Sequence, residues 1–464
     1  MNQRLLITLG ILVFLLLGTY IAIHYAEGYR LNLSKKTVEG TGLLVANSLP
    51  RGASIYIDNE LKSATDDTLH LTPGSYKIKL EKDRYKTWEK ELKIQSELVT
   101  QTNARLFPAV PSFSALTFNG ASNLAPSPDG HMIAFQIATG SAQTKYGIWV
   151  LNLNDTPLRF GSNTTLIAAD TPAVQFSKAQ LFWSPNSNEL LAYFNENQVY
   201  ILKANSENKT QNLVNAAFQV PALLEDWQQQ LAQERSKRLA KLPKEMQQIA
   251  TTSATLLYFS PNEEKLMYTA TASATIPDKL IPAPPSINNQ PQERTLVAGS
   301  MYVYDTKEDT NFMVIKNAFD QTTLQQYIKD YYVTELEKPT TSPLVILPAI
   351  TPVKQPKTMI EQLISIQAQY SPIYSHKRLQ WFPDSYHLIE IDSNSISIVE
   401  YDSNNKTEMF SGKFLENFVY PWPNGKPVPV VRHKREDSRR NDFRHDDVAN
   451  VVHLFTSPSP GGNL

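Results

Sequence analysis

The stretch Trp183-Ser184-Pro185-Asn186-Ser187, followed by Glu189-Leu190-Leu191-Ala192-Tyr193, decides the fold, because its pattern is written five times in one chain. The other copies are Pro126-Ser127-Pro128-Asp129-Gly130, Phe259-Ser260-Pro261-Asn262-Glu263, Trp381-Phe382-Pro383-Asp384-Ser385 and Pro421-Trp422-Pro423-Asn424-Gly425. Four copies run on into apolar stretches such as Met132-Ile133-Ala134-Phe135 and Leu388-Ile389-Glu390-Ile391. A second strand then closes on a polar turn, as in 147–152, 198–202, 301–305 and 396–402. Each copy reads as a hairpin. A strand arrives, Pro sets φ near −65°, Asp or Asn caps the turn and an apolar strand returns. Repeated about an axis, such units bury faces that none could bury alone.

The phrase resembles the strand-Trp-Ser-Pro-Asp-Gly-strand repeat of the TolB-type, WD40-like β-propeller over about 113–431. The resemblance implies an all-β propeller domain at 110–456 with five or six blades. The prolines of the phrases are spaced by 57, 76, 122 and 40 residues, against about 40 to 50 per blade. The excess implies insertions. One, at about 222–250, is rich in Gln, Glu, Lys, Arg and Leu and reads as an exposed helix or helical pair. The second, at about 318–368, reads as helices at 318–336 and 358–368 around a Pro-rich segment, and 276–291 is a Pro-rich loop. The segment RHKREDSRRNDFRHDD at 432–447 interleaves both charges and reads as a solvated loop. Residues 457–464 read as a flexible tail.

Residues 5–26, LLITLGILVFLLLGTYIAIHYA, contain no Asp, Glu, Lys or Arg. As a helix they measure about 33 Å, enough for a hydrocarbon core about 30 Å thick. Tyr20 and Tyr25 suit an interface. A secretory signal would have a shorter apolar region and a small-x-small cleavage site, so the run reads as an uncleaved signal anchor. The expected orientation leaves everything after Glu27 outside the cytoplasm.

From 41 to 109 the pattern shortens. Ser54-Ile55-Tyr56-Ile57-Asp58, Tyr76-Lys77-Ile78-Lys79-Leu80 and Leu92-Lys93-Ile94 alternate with period two, the mark of half-buried strands. Pro50-Arg51-Gly52-Ala53 and Leu71-Thr72-Pro73-Gly74-Ser75-Tyr76 resemble the motifs of the PEGA domain, a small surface-associated β-sandwich. The glycine usual after the Asp turn is missing, and the family's Gly-Tyr pair appears as Arg84-Tyr85. The resemblance implies a non-catalytic adhesion or spacer module, with the motif residues serving as turn scaffold.

Composition narrows the chemistry. With 44 Lys+Arg against 45 Asp+Glu, no global attraction to nucleic acid is expected. The absence of cysteine excludes disulfides, thiolate catalysis and Cys-ligated metal. No Gly-x-Ser-x-Gly elbow, P-loop, His-Glu-x-x-His helix or EF-hand loop occurs. The eight histidines are dispersed, with His376/His387 and His433/His445 among the nearer pairs and no recognisable ligand spacing. Asp129, Asp384 and Asn424 read as turn caps rather than calcium ligands. Trp149, Trp183, Trp381 and Trp422 read as core rather than as sugar platforms.

The expectation is therefore a non-enzymatic, single-pass protein of the bacterial cell membrane with its bulk outside the cytoplasm. Its propeller serves as a binding or scaffolding surface for an envelope protein or a cell-wall glycan. Its partners are that molecule and, through the N-terminal helix, the lipid bilayer. No catalytic, metal or cofactor site is assigned, and no cofactor is expected. The alternative is a glycosidase-like envelope hydrolase, which needs two carboxylates about 5 to 9.5 Å apart at the propeller centre.

Overall fold

The computed structural model describes residues 3–26, 29–32, 37–110, 112–115, 121–138, 146–153, 163–209, 212–282, 288–320, 322, 358–370, 378–412, 414, 419–421, 427–434 and 448–456. Of the strands at 29–32, 112–115, 427–434 and 448–456 only the backbone is described. Two compact units result. The first is Met1–Val110 with Asp278–Gln292 and Lys307–Thr310, and the second is Pro111–Pro277 with Glu293–Thr306 and Asn311–Leu464.

The first unit opens with a 24-residue helix, Gln3–Ala26. Its side chains are described from Ile7 to Ile23 and are exposed throughout, Phe14 at 75%. Among the described residues no helix is long and apolar enough to cross a membrane. The span expected at 5–26 is thus not shown; the described side chains stop short of its full length at both ends.

A β-sandwich follows. One antiparallel sheet has the order Glu60–Ala64, Ser54–Ile57, Gly74–Glu81, Trp88–Ile94, and the other places Gly42–Ala46 between Val99–Gln101 and Asp67–Leu71. Trp88–Ile94 alternates buried and exposed without a break, as period two requires of a half-buried strand. Ile55, Ile78, Leu80, Trp88 and Leu44 fill the space between the sheets. Asp58 and Asn59 both take φ > 0, the conformation that a two-residue hairpin of matching twist demands. Arg84 keeps the left-handed φ, at 65°, although the family's glycine is gone. Gly42 is required by proximity, since a Cβ there would lie 2.3 Å from the Gln95 carbonyl oxygen. The outer strand Trp88–Ile94 is covered: Asn289 Nδ2 donates to Lys93 O at 2.6 Å and Gln290 Nε2 to Glu91 O at 2.7 Å, blunting an open edge.

Among the described residues the second unit contains five sheets of three or four strands, in chain order, besides the two-stranded pair Ala274–Thr275 and Thr295–Leu296. The first joins Ser122–Pro126, Met132–Ile137, Gly147–Asn152 and Thr164–Ala169. Gln180–Trp183, Glu189–Asn195 and Gln198–Lys203 form the second. The third joins Ala254–Phe259, Lys265–Ala270, Met301–Asp305 and Thr310–Ile315. The fourth joins Leu379–Trp381, His387–Ile391, Ser395–Glu400 and Thr407–Ser411. In the fifth, Val419–Pro421, Pro427–Lys434 and Val448–Thr456 are completed by Ser112–Ala115 from the other end of the unit, which pairs antiparallel from Ser112↔Thr456 to Ala115↔His453. Among the described residues no single sheet closes on itself.

Successive sheets share cores. Sheets one and two bury Trp183, Leu190, Ile148 and Phe176 between them, and sheets three and four bury Met267, Phe312, Trp381 and Leu388. The other face of sheet two packs on helices. Phe182, Leu191 and Val199 meet Val220, Leu224 and Trp227 of the helix Val220–Leu239, and Leu363 and Ile366 of the helix Met359–Tyr370. The first insertion forms a helical pair, Val220–Leu239 and Lys244–Thr252, largely exposed as its polar composition implies but seated on the sheet along one edge. Its sparse apolar residues share one buried stripe, and the second helix buries Met246, Ile249 and Ala250. Of the solvated loop expected at 432–447, residues 432–434 instead end the strand Pro427–Lys434, paired with 448–450, and the rest lies outside the described residues, as do almost all of the helix expected at 318–336, its Pro-rich neighbour and the tail 457–464.

Candidate functional site

The repeated phrase builds turns. In three copies the serine hydroxyl spans the turn: Ser127 Oγ donates to Asp129 Oδ1 at 2.6 Å, Ser184 Oγ to Asn186 Oδ1 at 2.7 Å and Ser260 Oγ to Asn262 Oδ1 at 2.8 Å. The same oxygens accept the N–H of Met132, Glu189 and Lys265 at 2.9 to 3.0 Å. In the fourth copy Phe382 replaces Ser, and Asp384 caps alone, accepting from Tyr386 N and His387 N at 2.9 and 3.1 Å and meeting His387 Nδ1 at 2.9 Å. Asp129 and Asp384 are thus turn caps. Among the described residues no group of three His, Cys, Asp or Glu is placed to hold a metal ion. Asn424, Trp422, His376 and His445 lie outside the described residues, as does the side chain of His433.

The fifth position of the phrase is left-handed in every described copy, with φ of 79° at Gly130, 60° at Ser187, 58° at Glu263 and 64° at Ser385. The side chains that replace glycine there reach across to neighbours. Ser187 Oγ accepts Asp129 N–H and Ser385 Oγ accepts Asn262 N–H, both at 3.1 Å. Two tryptophans repeat the link, Trp183 Nε1 donating to Ala125 O at 2.8 Å and Trp381 Nε1 to Tyr258 O at 3.0 Å. Sheet one is clasped to sheet two, and sheet three to sheet four, by the same pair of bonds. Glu263 instead holds the helical insertion through Arg238 at 3.0 Å and through Lys241. The Lys241 hydrogen bond holds its carboxyl below the usual carboxylate range. Trp183 and Trp381 are core, whereas Trp149 is half-buried.

Lys265 and Asp305, register partners in sheet three, form an ion pair at 3.1 Å with each side chain 3% exposed. The ammonium lies 4.3 Å from the Tyr386 ring centre and 4.8 Å from that of Tyr401, both in turns that adjoin the strands of sheet four. It is a further weld between those sheets.

A cleft of about 590 Å³ opens at the first strands of sheets one and two, within the range of small-ligand sites. Among the described residues its polar lining is Asn123, Gln136, Ser177, Gln180 and Gln367; Leu181, Phe182 and Ile364 give it an apolar side, and Lys178 is the charged member. No carboxylate is among the described lining residues. Buried Gln136 donates from Nε2 to Phe176 O at 3.0 Å and Ala179 O at 2.6 Å. Asn123 Nδ2 donates to Gln136 Oε1 and to Ala179 O, each at 3.1 Å. Asp170 holds Ser177, accepting its N–H at 2.8 Å and its hydroxyl at 2.6 Å. The helix Met359–Tyr370 supplies Gln367 Nε2 to Leu181 O at 3.5 Å and the Tyr370 hydroxyl to Trp183 O. Burial raises the phenol of Tyr193, the register partner of Gln180, above its ordinary value. None of the cleft residues stands out by motif. The one readable signal is Gln136, a lone amide inside the apolar run Met132–Ile137.

With this geometry established, the PEGA domain family matches residues 41–109. The solved structures to which the chain is similar include the putative TolB from Agrobacterium tumefaciens, at 9% identity, 88% of this chain, 99% of that one and a TM-score of 0.18. The Myceliophteria thermophila Cps50 (Swd1) β-propeller domain is another, at 8% identity, 75% of this chain, 100% of that one and a TM-score of 0.21. No curated protein matches the chain.

Proposed function

We propose that this is a non-catalytic binding protein of the bacterial cell envelope, anchored by its N-terminal helix, with the PEGA domain outside the membrane. Its five sheets close into a propeller that presents the cleft to an envelope protein or a cell-wall glycan. The described lining of the cleft carries this reading: amides and a hydroxyl held in place by hydrogen bonds, beside an apolar side, suit recognition of a ligand. The anchor draws support from the exposure of the helix's large apolar side chains between Ile7 and Ile23. Ring closure draws support from the pairing of Ser112–Ala115 with Val448–Thr456. A photoreactive residue placed at Gln180 and irradiated in intact cells is expected to give one dominant adduct, with protein or with glycan. An adduct pattern identical to that of a control site on the exposed helix face, such as Gln233, is the result against it. Labelling of Ser96→Cys, at an exposed position of the sandwich, by a membrane-impermeant reagent in intact cells tests the orientation, and protection there overturns it.

A further inference from the structure

We infer that the cleft between sheets one and two takes an uncharged, hydroxyl-rich glycan segment, an assignment that rests on the binding reading above. The orientation of its amides follows from the groups around them. Phe176 O and Ala179 O can only accept, so the Gln136 group facing them must be its NH₂, and Gln136 Oε1 points the other way. That oxygen must be met by a donor, which fixes Asn123 with Nδ2 inward, where its second N–H is used on Ala179 O. Asn123 Oδ1 is therefore left facing outward as an aimed acceptor. Gln367, 6% exposed, likewise commits its NH₂ to Leu181 O and keeps its Oε1 for the cleft. The lining thus offers acceptors whose own donors are consumed in holding them still, which is how a rigid polar site gains selectivity.

Such a site selects the ligand by its chemistry. It wants donors. An ammonium would supply them, but Lys178 repels it and none of the described lining residues is a carboxylate. A carboxylate or phosphate would answer Lys178 but would face the Asn123 and Gln367 oxygens. An extended peptide brings one carbonyl for every N–H, and few donors are left in the cleft to satisfy them. A hydroxyl donates to one neighbour and accepts from another, so it is satisfied beside either an aimed oxygen or the unengaged Gln180 amide. Ile364, 54% exposed, provides the apolar contact that the C–H face of a sugar ring fills.

The test is calorimetric titration of the full chain in detergent with chitotetraose and cellotetraose, both neutral, against fully deacetylated chitotetraose, which is cationic. At least one neutral tetramer is expected to bind, and the cationic one at least tenfold more weakly. Asn123→Gly suits the left-handed backbone at that position, φ 48°, while Gln367→Met keeps the length and packing of the side chain. Each removes one aimed acceptor and is expected to weaken binding about five- to tenfold. Equal binding of the cationic tetramer, or full affinity in both variants, overturns the assignment. If neither neutral sugar binds while irradiation at Gln180 still captures one specific protein, the glycan falls and the binding reading stands. If the sugars do not bind and no specific adduct forms, both fall.

Discussion

Serine 187 sits where its backbone favours glycine, at φ 60°, and its hydroxyl accepts Asp129 N–H from the neighbouring sheet. Left-handed backbone costs an L-residue about 1 to 2 kcal/mol, and the bond returns about 1 kcal/mol. Ser187→Ala keeps the strain and loses the bond, so it is expected to destabilise the protein by about 1 kcal/mol. Ser187→Gly loses both and is expected to be near neutral. Thermal unfolding of the two variants side by side checks this, and an equal loss in both removes the clasp from the account. Lys265 gives a larger effect. Lys265→Met leaves Asp305 buried without its cation, at a cost of about 3 to 5 kcal/mol, and adding Asp305→Leu is expected to restore most of it. A double-mutant cycle measures the difference. At this scale the sequence is well read. The Ser-Pro-Asp turn depends on atoms within five positions of one another, and the departures from glycine at 187, 263 and 385 prove to be links between elements.

The helices show where such reading stops. Met359 N–H donates to Glu196, 163 positions away in sequence, and Tyr370 bonds the Trp183 carbonyl, 187 positions away. No local pattern carries that pairing. The apolar stripe of Val220–Leu239 is only Val220, Leu224 and Trp227, too thin to tell an exposed helix from one seated on a sheet. Ile366→Ala, at a position 0% exposed between helix and sheet, is expected to cost about 2 to 5 kcal/mol. It is also expected to speed proteolysis near Gln180–Trp183, whose open edge that helix covers. Glu263 adds a pH dependence to the first insertion. Its carboxyl titrates lower folded than unfolded, so its stabilising effect is present above the unfolded value of about 4.3 and is lost as pH falls through the folded one. Wild type is expected to exceed Glu263→Gln in stability at pH 6 and to converge with it near pH 3, and added salt should narrow the gap. Thermal melts across that range decide it.

At the scale of the molecule, the repeat phrases and the PEGA motifs carried the two main modules, while the cleft was invisible because its amides come from four separate segments. The pairing of Ser112–Ala115 with Val448–Thr456 joins the two ends of the second unit. Removing residues 448–464 is expected to make that unit susceptible to limited proteolysis at both ends, and a deletion that leaves the digestion pattern unchanged would show that the pairing does not hold the unit together.

The sandwich has its own consequence. Its first strand, Gly42–Ala46, runs parallel to Val99–Gln101, and Ser48–Leu49 runs parallel to Ala104–Arg105 close to the domain's end. Tension applied at residues 41 and 109 pulls these parallel segments past each other along their length. Every bond between them is then loaded together in shear, not broken one at a time as when a hairpin is unzipped. A module so wired behaves as a stiff tether, and pulling on it from its two ends is expected to need a higher rupture force than pulling across the hairpin from Ser54 to Ala64.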